Sequence, residues 1–274
     1  MILSSAFPAN TVLSLGVAAA YAVSALLASR RRASPVHGTL VVGWALHGLL
    51  LLVGIFGLGG QELRFGFAPA LSVTAWLVIT LYGVESRLQP KLQAYWALAE
   101  LGAVAVLLAV LFPGNALHPS ASVWLPLHWA LGIASYGLFA AAVLHAWLMT
   151  RAEKQMRLSL DDPAGAYDGV PLLTLERLTF RFVMAGFVLL SATLLAGGFF
   201  TEALYGPGKA VKWDHKTIFS VLSWLTFAGL LIGRARFGWR GRKAVRVLYA
   251  GAGLLLLAYA GSRFVLEVVL ARAA

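Results

Sequence analysis

The sequence feature that most constrains the fold is a series of long apolar runs, each about 20 residues in length, which is what a helix needs to cross a bilayer. The chain has 274 residues, of which 60% are hydrophobic and only 12% are charged, and its mean hydropathy is +0.80. No soluble core could bury so much apolar surface. We therefore predict an all-α, polytopic transmembrane bundle that forms a single integral membrane domain over residues 1–274.

Eight helices are expected. The predicted bounds of the first four, which together occupy residues 10–112, are about Asn10–Ser29, His37–Gly57, Ala68–Val84 and Leu92–Phe112. The predicted bounds of the last four are about Trp124–Met149, Phe180–Phe200, Lys216–Gly233 and Val245–Leu270. Between the fifth and sixth helices, the polar segment Arg151–Thr179 is expected to form an amphipathic surface helix followed by a loop.

The positions of the Lys and Arg residues predict the orientation in the membrane. Most of these 22 residues fall in four loops, around Arg30–Arg32, Arg87–Lys91, Arg151–Arg181 and Arg234–Arg246. Because cytoplasmic loops are enriched in Lys and Arg, we expect these four loops inside and the N-terminus outside.

Charge and composition exclude several other functions. The formal net charge is +11, but the charges lie in short loops rather than in a soluble domain, so nucleic acid is not an expected partner. The chain has no cysteine, which excludes disulfides, thiolate metal sites and a CxxCH site for covalent haem. It also has no HExxH motif, and we assign no catalytic residue, so an enzyme is not expected.

A polar cluster precedes the seventh predicted helix. Asp214 is a good N-cap residue, so the positive end of that helix would point towards Lys212, Trp213, His215 and Lys216. This combination suits a flat, anionic ligand that contains a metal, such as haem. The alternative is a capped helix with an interfacial tryptophan and two lysines that reach towards water.

His128 lies at the outer end of the fifth predicted helix. Trp124 precedes it by one turn, and Gly132 follows it by one turn. A glycine at this spacing leaves a flat slot beside the imidazole, which the edge of a porphyrin would fit. The alternative is a histidine that is hydrogen-bonded between helices.

Three further ionisable residues within the predicted helices are also candidates for a function. His47 lies near mid-bilayer, where strongly polar residues cost about 2.5–3.5 kcal/mol on insertion scales, so it is either a neutral, hydrogen-bonded imidazole or an axial iron ligand. Glu100 is either a neutral acid or a partner for a neighbouring helix. Arg263 either pairs with Glu267 at i+4 or meets a haem propionate.

The second half of the chain resembles the CcsA-like family of cytochrome c assembly proteins. The stretch WDHKTIFSVLSWLTFAGLLIGRARFGWRGRKA is similar to the end of that family's tryptophan-rich motif and the helix after it, through Trp213–Thr217, Trp224 and Gly238–Gly241. The stretches WLPLHWALGIASYGLFAAAVLHAWLM and LTLERLTFRFVMAGFVLLSATLLAGGFF are similar to the family's preceding helices. The resemblance covers about residues 124–270, and the first four helices resemble the family only in their general character.

The resemblance implies a protein of the bacterial inner (plasma) membrane that holds non-covalent haem b at its outer face, between two histidines. The haem is destined for apocytochrome c, so the implied partners are apocytochrome c or other cytochrome c assembly proteins. His128 matches the first outer histidine of the family, and Trp213 and Asp214 match the end of the tryptophan-rich loop.

Two departures from the family pattern make the chain resemble the short HemX-like or YpjD-like branch. The tryptophan-rich loop is cut to about Glu202–Trp213, and Ser262–Phe264 stand where the second outer histidine is expected. His215 is an additional residue within the motif, and we infer that it substitutes as the second ligand.

The predicted site lies at the outer rim of the bundle. Its metal ligands are His128 and His215, its walls are Trp213 and Trp124, its propionate partners are Lys212, Lys216 and Arg263, and Asp214 and His47 are further candidates. Two alternatives remain open. One is a regulator of haem synthesis, or a scaffold, that binds a soluble partner through Arg151–Thr179. The other is an accessory to an ion-efflux system that uses His47 and Glu100.

Overall fold

The fold was analysed in a computed structural model, which describes residues 9–29, 33–56, 64–89, 91–92, 94–116, 124–159, 169–199 and 214–270. The helices in these segments are α1 (Ala9–Ser29), α2 (Ala33–Phe56), α3 (Phe67–Leu88), α4 (Tyr95–Leu111), α5 (Trp124–Ser159), α6 (Leu172–Phe199), α7 (His215–Phe237) and α8 (Gly241–Leu256). Two short strands, β1 (Arg64–Phe65) and β2 (Asn115–Ala116), pair in antiparallel fashion.

The prediction of a polytopic helical membrane protein is confirmed. Among the described residues, seven helices are long and apolar enough to cross a membrane, and Tyr95–Leu111 forms a shorter apolar helix. The last span extends past α8, through a π-helical segment (Leu257–Gly261) to a three-residue α-helical segment (Ser262–Phe264), and a second π-helical segment follows (Val265–Val269).

The described residues group into two compact units. The first contains residues of Met1–Gly83, Ala94–Pro119 and Arg263–Ala274, and the second contains residues of Val84–Gln93 and Ser120–Ser262. The expected single integral membrane domain stays a prediction.

In the first unit, α1 packs against α2 and α4. Gly102 on α4 makes this close packing possible, because a Cβ at that position would come within 2.7 Å of the buried Tyr21 ring of α1. Two indoles link α2 to α3: Trp44 donates to the Thr80 hydroxyl at 2.8 Å, and Trp76 donates to the Trp44 carbonyl at 3.0 Å.

The second unit is a four-helix bundle of α5, α6, α7 and α8. Its core is built on the stacked rings of Phe139 and Phe227, whose centroids lie 3.8 Å apart with 6° between the planes. Gly186 and Gly251 press against these rings, since a Cβ on either would lie 3.1 Å from Phe139 or 2.8 Å from Phe227, respectively. The bundle therefore depends on small residues at the points where backbone meets ring.

The fifth helix is longer than the sequence predicts. With 36 residues, α5 extends about 54 Å at 1.5 Å per residue, well beyond a hydrocarbon core of about 30 Å. The start of the expected surface helix, Arg151–Ser159, is therefore a continuation of α5. Residues 160–168 of the expected loop lie outside the described residues, and α6 begins earlier than expected, at Leu172.

We expect Gly251→Ala to destabilise the second unit, because the stacked Phe227 ring cannot move away from the added methyl group. Overpacking of this kind costs about 1–3 kcal/mol, and a lower midpoint of thermal unfolding in detergent would measure it. Gly253→Ala on the same helix is the matched control, since a Cβ there meets nothing within 4 Å. Equal midpoints for the two variants would contradict the packing described for Phe227.

Candidate functional site

His128 lies in the second turn of α5 and faces α6. Its ring is half-buried and interacts with the backbone of Thr193 on α6. A Cβ at Gly197 would lie 3.4 Å from His128 Cε1, so this glycine lets α6 approach the imidazole. A Cβ at Gly132 would meet the Thr193 methyl group at 3.7 Å, so the predicted slot beside His128 lies against Thr193.

One nitrogen of His128 is left without a protein partner. Nδ1 is buried and has no hydrogen-bond partner among the described residues. Buried polar atoms are nearly always hydrogen-bonded, so an unpaired one suggests a ligand or another unseen partner. A histidine that binds a metal through one nitrogen usually has its ring oriented by a hydrogen bond from the other. The environment of His128 fits this chemistry.

The N-terminus of α7 is capped as predicted. The Asp214 carboxylate accepts a hydrogen bond from the backbone N–H of Thr217 at 2.9 Å. This cap fixes the first turn, which begins with the exposed His215 and continues with the half-buried Lys216. The helix therefore holds an imidazole and an ammonium group at its positive end.

Lys216 connects α7 to the neighbouring helices. Its charge acts on the His128 ring, and its Nζ lies 5.5 Å from the centroid of the Tyr259 ring, within the range of a cation–π interaction. Two turns along α5 from His128, the Tyr136 hydroxyl donates to the Leu255 carbonyl of α8. Side chains of α5, α7 and the segment after α8 thus meet at this end of the second unit.

The structure brings together only part of the predicted site. The charge of Lys216 acts on the His128 ring, and Asp214 and His215 lie at the start of α7 with Lys216. Lys212, Trp213 and the rest of the Glu202–Trp213 loop lie outside the described residues, as does the side chain of Trp124. Their roles stay predictions.

Arg263 and His47 belong to the other compact unit. Arg263 is half-exposed, and the side chain of Glu267, its predicted i+4 partner, lies outside the described part of the chain. Glu100 is exposed on α4. The predicted roles of these three residues stay untested.

Both ring nitrogens of His47 have partners. The residue is completely buried, with the Tyr21 hydroxyl 3.2 Å from Nδ1 and the Ser72 hydroxyl 2.9 Å from Nε2. These hydroxyl groups, from α1 and α3, are the kind of partners expected for the first of the two alternatives, a hydrogen-bonded imidazole. Iron ligation at this residue would have to replace one of these hydrogen bonds.

One buried pair was missed by the sequence analysis. His145 Nε2 lies 2.8 Å from Glu85 Oε2, at ion-pair distance but outside the angles of a hydrogen bond. His145 Nδ1 lies 2.8 Å from the Ala141 carbonyl, which can only accept, so Nδ1 carries a proton. The contact between Nε2 and the carboxyl group therefore has to share a further proton to avoid two facing lone pairs.

Within the described residues, no group of three or more His, Asp or Glu side chains is placed to hold a metal ion. This result argues against a metal site built wholly from those side chains. Haem is different, since the porphyrin supplies four ligands and the protein needs to contribute only one or two.

Comparisons with known proteins give a consistent result. The family described as Cytochrome C assembly protein matches residues 33–270 of the chain. This match starts well before residue 124, so it includes helices that the sequence analysis considered less diagnostic. No solved structure matches the chain.

Three curated relatives illustrate the similarity. An uncharacterized 28.8 kDa protein in the nifR3-like 5' region of Azospirillum brasilense is 33% identical over 87% of this chain and 88% of its own length. The inner membrane protein YpjD of Escherichia coli K12 is 28% identical over 84% of this chain and 85% of its own. The cytochrome c biogenesis protein CcsA of Prochlorococcus marinus (strain MED4) is 26% identical over 66% of this chain but only 54% of its own.

We expect Asp214→Ala to loosen the first turn of α7, because the N–H of Thr217 loses its acceptor. Loss of an N-cap costs about 1 kcal/mol, or about fivefold in local opening, and faster hydrogen exchange of the first-turn amides would show it. Asp214→Asn keeps a capping oxygen and should exchange at the wild-type rate. If the Asn variant exchanged as fast as the Ala variant, charge rather than capping would account for the effect.

We expect His47→Leu to destabilise the first unit, because the hydroxyl groups of Tyr21 and Ser72 both lose a partner. Leaving buried polar groups unpaired costs about 1–3 kcal/mol each, which a lower thermal midpoint in detergent would report. His37→Leu is the control, since His37 is exposed on the same helix. An unchanged midpoint for His47→Leu would show that the hydrogen bonds of His47 contribute little.

Proposed function

The chain belongs to the cytochrome c assembly protein family, and on this basis we propose that it binds haem non-covalently and delivers it during cytochrome c maturation. The family match, which covers most of the chain, supports a role in cytochrome c biogenesis. The name of the Prochlorococcus relative points in the same direction. Haem binding and delivery are the finer steps that we add.

The observation that carries the haem proposal is the buried, unpaired Nδ1 of His128 beside the charge of Lys216. Haem, when bound, supplies an iron centre together with two negatively charged propionates. His128 would ligate the iron while the Thr193 backbone holds its ring. Lys216 would neutralise a propionate, and the positive end of α7 would favour the same charge.

His215 is our candidate for the second ligand. It opens α7, directly before Lys216, and its side chain is exposed. The capped first turn holds its backbone in a fixed position. Because the side chain is exposed, the imidazole ring is able to rotate about its side-chain bonds. Trp124, Trp213 and Lys212 remain proposed further members of the site.

This proposal involves handover rather than catalysis. We propose that the chain holds the cofactor until an apocytochrome c or another assembly protein receives it. The name of the Escherichia coli relative, an inner membrane protein, supports a bacterial inner-membrane location. The Lys and Arg distribution predicts that His128 and His215 lie at the outer face of the membrane. The family resemblance implies that haem is held at this same face.

We expect the protein, purified from haem-replete cells, to show a haem signal in its reduced-minus-oxidised visible spectrum. His128→Ala should lose most of the haem, and His215→Ala should retain some haem with an altered axial ligand field. The double variant should lose all of it. His37→Ala is the matched control and should keep the wild-type spectrum, because His37 lies on the other unit.

Two outcomes would count against this proposal. Normal haem content in the double variant would reject His128 and His215 as ligands. A wild-type protein that contains no haem would reject haem binding altogether. It would favour the alternative of a membrane regulator or an ion-efflux accessory.

A further inference from the structure

The hairpin between α7 and α8 holds an aromatic ring in a fixed place. Gly238 ends α7 in the left-handed conformation, with φ of 62°, and its N–H bonds back to the carbonyls of Arg234 and Gly233. Trp239 donates its backbone N–H to the Gly233 carbonyl at 3.1 Å. The indole lies so close to Gly233 that a Cβ there would come within 2.4 Å of it. Only glycine at that position allows this packing.

One carboxylate organises the cations around the hairpin. Glu176 on α6 accepts from Arg234 at 2.5 Å and lies 3.4 Å from Nε of Arg240. Arg234 also stacks on the Phe180 ring, 3.7 Å from its centroid. Since Glu176 carries one negative charge and meets two guanidinium groups, it balances only one of them. Arg240 is the more exposed of the two, with 67% of its side chain accessible.

A second cation is held against the indole. Lys243, in the first turn of α8, places its Nζ 4.0 Å from the centroid of the Trp239 ring. This is a close cation–π distance. Lys243 thus contacts the indole, Arg240 follows Trp239 in the chain, and both basic side chains are exposed.

These side chains line an open hollow of about 590 Å³, together with Phe237 and Gly238. Phe237 is 73% exposed, and Ile232 on the same helix is 57% exposed. The hollow therefore has cations and an indole on its walls and an apolar helix surface next to it.

We propose that this hollow binds the phosphate headgroup of an anionic phospholipid. Arginine and lysine are the side chains that bind phosphate, and tryptophan favours the headgroup level of a bilayer. The hairpin belongs to the loop predicted to lie inside, and basic pockets on that face attract anionic headgroups. The exposed Phe237 and Ile232 give the acyl chains an apolar surface, which is why we assign a lipid rather than a soluble phosphate.

The test measures lipid binding to the full-length protein. Delipidated protein in neutral detergent is titrated with phosphatidylglycerol or with phosphatidylcholine of the same acyl chains, and native mass spectrometry counts the bound molecules. We expect at least a tenfold preference for phosphatidylglycerol. Because each basic residue near an anionic headgroup contributes about fivefold in affinity, Arg240→Gln/Lys243→Gln should weaken that binding by roughly 30-fold.

A matched control separates a site from general charge. Lys154→Gln/Arg157→Gln removes the same number of charges from the end of α5, where both side chains are exposed, and should leave the preference intact. Equal losses in both double variants would overturn the proposal. So would the absence of any preference in the wild type.

Two further measurements keep the result decisive. Inorganic phosphate at millimolar concentration should not displace the lipid, and full displacement would reassign the hollow to a soluble phosphate. If the double variant fails to fold, Lys243→Gln alone decides, since its exposed side chain is not part of the contact with Glu176. Wild-type affinity in that single variant would overturn the proposal.

Discussion

The absence of hydrogen-bonding solvent in a bilayer is the constraint on which the rest of this structure depends. Every buried polar group has to find a partner within the chain. Ser223 donates to the Gly251 carbonyl at 2.9 Å, and Trp224 donates to the Ser191 hydroxyl at 2.8 Å. His47 has a hydroxyl group at each ring nitrogen. These bonds hold neighbouring helices in register where apolar contact alone is not directional.

Against this background, the few unpaired atoms become informative. Three buried side-chain atoms of the described residues have no hydrogen-bond partner: Glu85 Oε2, His145 Nε2 and His128 Nδ1. The first two face each other at 2.8 Å, so each has the other as an ion-pair neighbour. His128 Nδ1 has no such neighbour in the described part of the chain. The physical argument for a ligand at this end of the bundle therefore rests on His128.

Sequence patterns were sufficient for features that depend on neighbouring residues. The apolar runs predict the helices, and the Asp214 cap follows from a side chain that can reach an N–H three residues ahead. The extent of α5 could not be predicted, because Arg151–Ser159 continues a helix whose apolar stripe has already ended. Its polar residues suggested a separate surface element, whereas helix propagation adds residues without any new nucleation.

Pairings between distant residues were the part that sequence could not supply. Topology alone predicts that His128 and Lys216 lie at the same outer end, and in the structure the charge of Lys216 acts on the His128 ring. The sequence could not show that Thr193 would hold the His128 ring, or that Tyr21 and Ser72 would both contact His47. These contacts depend on how each helix is rotated about its axis, and a run of apolar residues on all sides leaves that rotation unspecified.

The two ends of α7 are linked by its length. Its 23 residues extend about 34 Å, close to the hydrocarbon thickness of about 30 Å. With Trp239 and the cations around it fixed at one headgroup level, Asp214, His215 and Lys216 have to lie near the other. The helix macrodipole is stabilised at both ends of α7, since its positive end meets the Asp214 cap and its negative end meets Arg234 and Arg236. A basic hairpin anchored on one surface thus sets the depth at which the first turn of α7 presents an imidazole and an ammonium group on the other.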